Sequence, residues 1–392
     1  MDVFFGEWGN LLLRWAHMIV GIGWIGTSFY FVALDLSLNQ KEPKKAGVYG
    51  TAWQVHGGGF YYVEKFVVAP PNLPPHLHWF QWEAYLTWVT GFGLMIVQYY
   101  LHANSYLIDP AVMPLTPVQA IAISVASLVG GWLIYDLICR VLGARTKMLV
   151  ALVFAMILAA AFLYTKVYSG RGAFLHVGAL VGTIMAVNVF GIIIPNQKKM
   201  VAQLVKGEVP DGRYGAIGKQ RSLHNNYLTL PVLLMMVSPH YPFLSAHPHA
   251  WLVVAFILVC GGLFRHLLNR VDADDDWYGY GWTLPIAAFA LLCAIYVTAP
   301  ASRPAGGAPV SDAEMLQIVA KHCTMCHAVK PTHESFTEAP KNVVLQSVDD
   351  LKRYAPLILS QTVQNKAMPL GNQTAMTEEE RVKVGDWIRA AR

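Results

Sequence analysis

Charged side chains are scarce in this chain: they form 14 % of its 392 residues, against 55 % for hydrophobic ones. The formal net charge is only +5 and gives no reason to expect a nucleic-acid partner. No kinase, cyclase or DNA-binding segment is recognisable, which disfavours a sensor protein. The first residues carry neither a basic leader nor a small-residue cleavage site, so we expect the first apolar segment to act as an anchor rather than a removable signal.

Cysteine is also rare, yet two of the five cysteines share one short motif. Cys323 and Cys326 are followed directly by His327, and Cys-x-x-Cys-His is the attachment sequence of a c-type haem. In such a site both thiols bond covalently to the porphyrin and the histidine becomes an axial ligand of the iron. A zinc site is disfavoured, because the sequence has no second Cys-x-x-Cys or His-x-x-x-His pair to complete four ligands.

The iron needs a second axial ligand, and methionine is typical of electron-transfer cytochromes. Met368 is the best candidate, because Pro369 keeps the chain extended and places the thioether on a loop. Met376 and His333 are the alternatives. Residues 311–392 therefore read as a small α-helical cytochrome c domain, in which Ser311 caps the helix before the cysteines and Thr377 begins the last helix. The Pro- and Gly-rich residues 300–310 read as a linker.

Before residue 300, apolar runs recur at a length that can cross a bilayer. The sequence predicts an all-α, polytopic membrane helix bundle with about eight spans, at 10–35, 84–103, 117–139, 147–167, 173–195, 224–240, 250–270 and 281–299. With the N-terminus outside, fifteen Lys and Arg residues fall toward inner loops and only Lys166 and Arg171 toward outer ones. Eight spans return the C-terminus to the outer side, where bacteria attach c-type haem.

Ionisable residues inside apolar segments are costly and are typical of functional sites. Arg14 and His17 share one face of the first span, and Glu83 opens the second. His56 begins the stretch 56–65, which is too polar to span and too aromatic for a simple linker. We expect that stretch to lie at the inner face as a folded loop or a short interfacial helix.

A further polar cluster lies at the inner mouth of the sixth span and includes His224, Asn225 and Asn226. Its side chains suit a planar, anionic, hydrogen-bonding ligand, and Asn188 from the fifth span and Arg265 and His266 from the seventh could converge on it. Helix capping and anchoring at the inner surface remain an alternative explanation.

Histidines fall toward both faces of the predicted bundle. His17, His102 and His176 lie toward the outer side, and His56, His224 and His266 lie toward the inner side. Facing histidines can hold a b-type haem between helices. We therefore expect an additional haem b as one option for carrying electrons across about 30 Å of hydrocarbon. Hydrogen-bonded core histidines are the alternative.

The complete arrangement resembles the bacterial membrane-bound urate oxidases (urate hydroxylases), which join an integral membrane domain to a C-terminal cytochrome c. The resemblance rests on Trp15-Ala16-His17 with its Gly-rich continuation, on 56–61 and on 221–227. It implies a membrane domain over 1–299 that oxidises urate to 5-hydroxyisourate in purine catabolism. It also implies electron flow through one haem c to a downstream cytochrome or terminal oxidase, in the bacterial inner membrane with the cytochrome domain in the periplasm.

The residue chemistry is compatible with that substrate, because urate is a planar monoanion near neutral pH. The candidate catalytic residues are Arg14, His17, His56, Glu83, His224, Asn225 and Asn226. A general base is needed, and His224, His17 or Glu83 could serve. The alternative function is a quinol-linked electron-transfer subunit with no substrate chemistry of its own.

Overall fold

A computed structural model describes residues 3–41, 45–143, 145–245, 247, 249–299, 309–333 and 336–390. The described chain is mostly helical. Up to residue 299, its helices are α1 (Val3–Leu36), α2 (Trp82–Leu94), α3 (Ala103–Tyr106), α4 (Pro117–Leu142), α5 (Thr146–Tyr164), α6 (Gly170–Val187), α7 (Ile194–Val205), α8 (Gly212–Val237), α9 (Pro242–Ser245), α10 (Ala250–Asp272), α11 (Trp277–Tyr280) and α12 (Thr283–Val297). The C-terminal helices are α13 (Asp312–His322), α14 (Val348–Arg353), α15 (Ala355–Ile358) and α16 (Glu378–Ala390). Most of the predicted linker 300–310 lies outside the described residues.

Wider π-helical turns extend or join some of these helices. Met95–Tyr100 continues α2, Asn188–Ile193 joins α6 to α7, and Leu359–Gln364 follows α15. Short 3-10 turns occur at Ser238–His240, Pro340–Asn342 and Leu370–Asn372. A π-turn places one extra residue in the helix, which redirects side chains and is frequent at functional sites.

Six helices are long and apolar enough to cross a membrane: Phe5–Leu36, Pro117–Leu142, Thr146–Tyr164, Gly170–Val205, Ala250–Asp272 and Trp277–Val297. The segments predicted as spans at 84–103 and 224–240 do not belong to this set. The physical reason is polarity, because α2 carries Glu83 and the first half of α8 carries Lys219 and Arg221.

Both of these more polar helices nevertheless run antiparallel beside long apolar ones. A Cβ on Gly91 of α2 would lie 2.9 Å from the His17 ring of α1, and a Cβ on Gly23 of α1 would lie 3.7 Å from Glu83. In the same way α8 packs along α10, where a Cβ on Gly261 would lie 2.8 Å from Pro231. The two helices therefore belong to the bundle.

One prediction about the fold is wrong: residues 56–65 form neither a loop nor an interfacial helix. β1 (Val48–His56) and β2 (Gly59–Phe66) pair antiparallel in a hairpin, so the chain is not all-α. Gly57 and Gly58, at φ +58° and +80°, supply the left-handed turn that a tight hairpin requires. The Trp53 and Tyr62 rings pack across the strands at 4.8 Å, as aromatic pairs do in sheets.

The bundle has two distinct ends. We call upper the end that holds residues 103–109 and 165–170, which are joined by a hydrogen bond from Ser169 N to Leu107 O. We call lower the end that holds the hairpin and the start of α8, where Gln220 donates to the Gly143 carbonyl. The C-terminal helices enclose a separate apolar core that includes Met315, Leu351, Met376, Trp387 and Ile388.

Two predicted helix starts in this C-terminal part are confirmed. Ser311 Oγ accepts from Glu314 N at the start of α13, and Thr377 Oγ1 accepts from Glu380 N at the start of α16. Each hydroxyl pairs a backbone amide that the helix itself leaves without a partner. α13 thus ends at the residue immediately before Cys323.

Candidate functional site

A cluster of polar side chains is buried in the lower half of the bundle. Helix α8 supplies three buried members, since Arg221, Asn225 and Asn226 are 2 %, 6 % and 0 % exposed. The spacing of four between Arg221 and Asn225 places both on one face of the helix. His224 lies between them and is partly buried.

Helix α4 meets this face with two consecutive polar residues. Arg221 Nη2 forms an ion pair with Asp136 Oδ1 at 2.6 Å, and both side chains are nearly inaccessible to solvent. The Arg221 guanidinium also lies 5.0 Å from the centre of the Tyr135 ring. The Tyr135 hydroxyl lies 2.7 Å from His224 Nδ1. Tyr135 and Asp136 therefore fix the positions of Arg221 and His224.

The π-turn after α6 supplies Asn188, whose side chain is fully buried. Its Nδ2 donates to the Tyr135 hydroxyl at 2.9 Å and to Asn225 Oδ1 at 3.0 Å. Asn225 Nδ2 in turn donates to the Met185 carbonyl at 2.8 Å. The amides thus connect three segments of the bundle in one network.

Helix α10 closes the cluster with Arg265, which is 3 % exposed. Its Nε donates to Asn226 Oδ1 at 2.5 Å, and its guanidinium lies 3.8 Å from the centre of the Phe29 ring of α1. The predicted convergence of Asn188 and Arg265 on the α8 cluster is therefore present. We call these residues the lower polar cluster, namely Phe29, Tyr135, Asp136, Asn188, Arg221, His224, Asn225, Asn226 and Arg265.

Several polar atoms of the lower polar cluster have no partner. Within the described chain, no hydrogen bond reaches the donors Arg221 Nε and Nη1, Asn226 Nδ2 and Arg265 Nη2, or the acceptor Asn188 Oδ1. A buried donor without an acceptor costs about 1–3 kcal/mol, and more when it is charged. Four donors on three side chains therefore suit an anionic ligand that is rich in acceptors.

The upper half of the bundle contains a second polar network, in which the central histidine has partners for both ring nitrogens. His176 is fully buried, but its Nδ1 lies 2.7 Å from the Gly172 carbonyl and its Nε2 lies 2.6 Å from Ser124 Oγ. The Ser124 hydroxyl is also 2.7 Å from the Tyr100 hydroxyl. Both ring nitrogens of His176 are thus occupied, and this residue has no nitrogen left for a metal.

The other predicted catalytic residues lie elsewhere. Arg14 Nε donates to Asn10 Oδ1 at 2.8 Å within α1. His17 Nδ1 lies 3.1 Å from the Thr87 carbonyl on α2, and Glu83 lies beside Gly23 nearer the lower end. His56 is exposed at the tip of the hairpin. The structure therefore brings together His224, Asn225 and Asn226 but not these four residues.

Three cluster residues, Phe29, Tyr135 and Asp136, were not predicted from the sequence. The available signal was an aspartate followed four residues later by Arg140 near the end of an apolar span. Arg140 does pair with Asp136 at 2.6 Å, but it is largely exposed. The buried partner, Arg221, is far away in sequence, so the pair could not be identified without the fold.

The Cys-x-x-Cys-His segment has a geometry that fits haem attachment. Cys323 and Cys326 are free thiols. His327 Nδ1 lies 2.9 Å from the Val343 carbonyl. Because a carbonyl only accepts, Nδ1 carries the proton and Nε2 keeps the lone pair that a metal would bind, as is typical of metal-ligating histidines. No group of three or more His, Cys, Asp or Glu able to hold a metal ion occurs in the described part of the chain.

Met368, the candidate axial ligand, lies in a different environment from the alternative methionine, Met376. Met368 lies on a partly buried loop, where its amide donates to the Gln361 carbonyl at 3.0 Å and its carbonyl accepts from Arg381 Nη1 at 2.6 Å. Met376 is 4 % exposed and packs in the apolar core of the C-terminal part. His333 Nε2 lies 3.1 Å from Gln373 Oε1. Of the three predicted candidates, Met368 therefore combines a fixed loop with a side chain outside that core.

Comparison with known protein families gives one match. A family model described as urate oxidase N-terminal matches residues 3–299, which include every residue of the lower polar cluster. Neither the comparison with curated proteins nor that with solved structures gave a match. Since the matched segment covers well over half of the sequence, this chain belongs to the urate oxidase N-terminal family.

Proposed function

We propose that this protein is a membrane-bound urate oxidase that converts urate to 5-hydroxyisourate and passes the electrons to a c-type haem on its own C-terminal domain. The observation that carries the proposal is the set of buried donors without partners on Arg221, Asn226 and Arg265. Family membership indicates urate as the small-molecule substrate. The lower polar cluster supplies a binding site with the matching chemistry.

Urate satisfies the requirements of this cluster. It is a planar monoanion with several carbonyl oxygens, so it offers acceptors to both arginines and to Asn226 Nδ2. Its ring N–H groups can donate to Asn188 Oδ1, which lacks a donor. Arg265 has no carboxylate partner of its own in the described chain, so a bound anion would neutralise a buried positive charge.

The reaction takes up one water, adds its oxygen to urate, and releases two electrons and two protons from urate and water together. His224 is the member of the cluster best suited to accept a proton, because it is an imidazole whose Nδ1 is held by the Tyr135 hydroxyl. Tyr135 would orient that imidazole, and the surrounding apolar helices would exclude other water. A one-electron acceptor must therefore be reduced twice for each urate that is oxidised.

Cys323, Cys326, His327 and Met368 would hold the haem. When bound, the haem supplies a one-electron acceptor whose potential is raised by the methionine ligand. The Val343 carbonyl would orient His327, and Arg381 would hold the Met368 loop by its carbonyl. A downstream cytochrome or terminal oxidase would reoxidise the haem.

We also infer eight membrane crossings. Trp82–Tyr100 contains 19 residues in continuous helix, and α8 contains 26, so both are long enough to span. Their antiparallel packing on α1 and α10 brings the chain back across the bilayer each time. Polar residues on them are directed into the bundle, where Arg221 and Asn226 are buried. The upper end, with the C-terminal domain, would then face the periplasm of an inner membrane.

An additional haem b remains a proposal for carrying electrons between the two ends. His17 fits such a role, because the Thr87 carbonyl orients its Nδ1 and leaves Nε2 as the ligating nitrogen. His17 lies twelve residues from Phe29, about 18 Å along α1 toward the upper end. His176 does not fit, because both its nitrogens are occupied.

The experiment is an anaerobic reduction of the haem in membranes that contain the full-length protein. Urate and ubiquinol are added separately, and the absorbance of reduced haem c is followed. We expect urate to reduce the haem without oxygen. Asn226→Asp should abolish this reduction, since the new carboxylate would pair with Arg265 and repel the substrate. Arg213→Gln, on the same helix but exposed, is the matched control. Reduction by ubiquinol alone would instead establish the quinol-linked alternative.

A further inference from the structure

One short loop of the C-terminal part packs directly against the upper end of the bundle. Gly371 has a φ of +58°, and a Cβ there would lie 2.7 Å from the Asn104 carbonyl oxygen, 2.9 Å from that of Ser105 and 3.2 Å from that of Ile108. Both the conformation and the close approach require glycine. The two backbones are therefore in direct contact at this point.

Polar side chains extend this contact. Gln373 Nε2 donates to Ser105 Oγ at 2.7 Å, and Ser105 is only 6 % exposed. Burial raises the pKa of Asp109, and the positive charge of Arg381 opposes that rise. We call the facing segments, residues 369–373 and 104–109, the docking contact.

The docking contact is connected to the candidate iron ligand in two ways. Gly371 is only three residues from Met368 along the chain. Arg381, whose charge acts on Asp109, also donates through Nη1 to the Met368 carbonyl at 2.6 Å and to the Thr362 carbonyl at 2.5 Å. The docking contact therefore adjoins the loop that carries the methionine, while Arg381 holds that loop from within the C-terminal part.

We propose that the docking contact is the place where electrons pass from the membrane half to the haem, and that Gly371, Gln373 and Ser105 are positioning residues for this step. The proposal rests on the proposed function. Each passage moves one electron and reduces ferric haem to ferrous haem, and no covalent bond forms or breaks. Two passages complete the oxidation of one urate, with a one-electron acceptor of the downstream chain reoxidising the haem between them. Tunnelling weakens steeply with separation, so a direct backbone contact beside an iron ligand is an effective place for transfer.

The test compares two kinds of reductant in full-length protein with its haem attached. In Gly371→Ala, we expect urate-driven reduction of the haem to slow by about tenfold or more, since small displacements at a reacting contact have effects of that order. Reduction by a small soluble reductant should keep its wild-type rate, and the haem midpoint potential should be unchanged. Gly207→Ala is the matched control, because Gly207 also has a positive φ of +76° but lies in open space.

A second variant alters the membrane side only, so the sequence around the haem stays intact. Ser105→Leu removes the hydroxyl that Gln373 contacts and adds bulk at a buried position. We expect kcat for urate to fall while KM stays unchanged, because the substrate site lies near the other end of the bundle. Wild-type kinetics in both variants, or equal slowing with every reductant, would overturn the proposal.

The failure of the proposed function is distinguishable. If ubiquinol but not urate reduces the wild-type haem, the substrate is wrong and the same variants are measured with ubiquinol. Selective slowing with that donor would still support the docking contact. In addition, a Ser105→Cys and Gln373→Cys pair should crosslink with a short bis-maleimide in intact membranes, and the absence of any crosslink would contradict the contact.

Discussion

At the scale of single residues, hydrogen-bond satisfaction separates structural polar groups from functional ones. His176 and Ser124 are buried in apolar surroundings, yet their polar atoms are paired. Arg265 and Asn226 are equally buried, but each keeps a donor without an acceptor. Because such donors destabilise the fold unless a ligand pairs with them, they mark a binding site more clearly than residue type alone.

The candidate iron ligands give the first prediction. Met368→Leu should retain covalently bound haem but lose the methionine–iron absorption band, because the thioether is replaced by a group that cannot ligate. Met376→Leu should keep that band, since Met376 fills the apolar core and leucine has a similar volume. Optical spectra of the two oxidised variants check this. Loss of the band in Met376→Leu alone would show that Met376, and not Met368, is the iron ligand.

The sequence was sufficient for some of these residues and insufficient for others. Cys323, Cys326 and His327 are adjacent in the chain, so the motif alone predicts their chemistry, and the orientation of His327 is compatible with it. The candidate substrate residues of the lower polar cluster come from five separated segments, and their grouping depends on helix packing. Arg14 and His17 drew attention as ionisable residues in a span, although neither contacts the lower polar cluster in the contacts described here.

At the scale of elements, α8 depends on its packing rather than on its own composition. It is the most polar of the long helices in the bundle and it contains Pro231, which removes a backbone hydrogen bond. Gly261 of α10 accommodates the proline ring, because a side chain there would overlap it. The same pair of helices carries Asn226 and Arg265, so the fit at Gly261 sets the register of the site.

This packing gives the second prediction. Gly261→Ala should destabilise the bundle by about 1–3 kcal/mol through overpacking and should weaken urate-driven haem reduction. The neighbouring Gly262→Ala is the matched control, because its Cβ would meet nothing within 4 Å. Thermal unfolding and haem reduction are measured for both variants in detergent. Equal behaviour of the two would show that the α8–α10 fit does not control the site.

The first turn of α16 gives the third prediction, which concerns pH. Partial burial opposes ionisation of Glu380, but the Lys321 ammonium, the Thr377 amide and His322 together hold its pKa well below the ordinary value. A carboxyl with a lowered folded pKa stabilises the fold above its unfolded pKa, and this contribution is lost as the pH falls toward the folded pKa.

Glu380→Gln should therefore lower the stability of the C-terminal part by about 1 kcal/mol at neutral pH, the order of a helix-capping interaction. The difference from wild type should shrink progressively below about pH 4, where the unfolded carboxyl becomes protonated. Glu378→Gln, whose ion pair with Lys366 is exposed, should change little at any pH. Thermal transitions of the haem-loaded protein measured across this pH range check both expectations.

Elements were predictable where local signals agree with the fold. The long apolar helices and the caps at Ser311 and Thr377 follow from composition and spacing. The hairpin was missed because residues 56–65 were assigned to the inner membrane face, although the Gly57-Gly58 turn between two β-prone runs favours paired strands. Helix bounds also shifted where α6, its π-turn and α7 continue as one element from Gly170 to Val205.

At the scale of the whole molecule, the two ends of the bundle carry different features. The lower end holds the candidate substrate site, whereas the upper end contacts the C-terminal part through Gly371 and Gln373. Arg221 and Arg265 were among the fifteen Lys and Arg residues predicted from the sequence to lie toward inner loops, but both are buried in the bundle. The remaining basic residues still lie mainly toward the lower end, so the positive-inside bias supports the proposal that this end faces the cytoplasm. Under the proposed function, substrate would be oxidised nearer one face and its electrons would be delivered at the other.

The number of crossings is the last prediction, and two exposed lysines can measure it. If α2 and α8 both cross, Lys147 at the start of α5 faces the cytoplasm and Lys166 just after α5 faces the periplasm. If only the six most apolar helices cross, the same two positions exchange sides. Lys147→Cys and Lys166→Cys are therefore labelled separately in intact spheroplasts with a membrane-impermeant thiol reagent, and the unsubstituted protein reports the background of its native cysteines. We expect labelling of Lys166→Cys only, with Lys147→Cys reacting after the membrane is opened. Labelling in the reverse order would remove α2 and α8 from the set of spans, and it would place the arginines of the lower polar cluster near the opposite face from the one proposed.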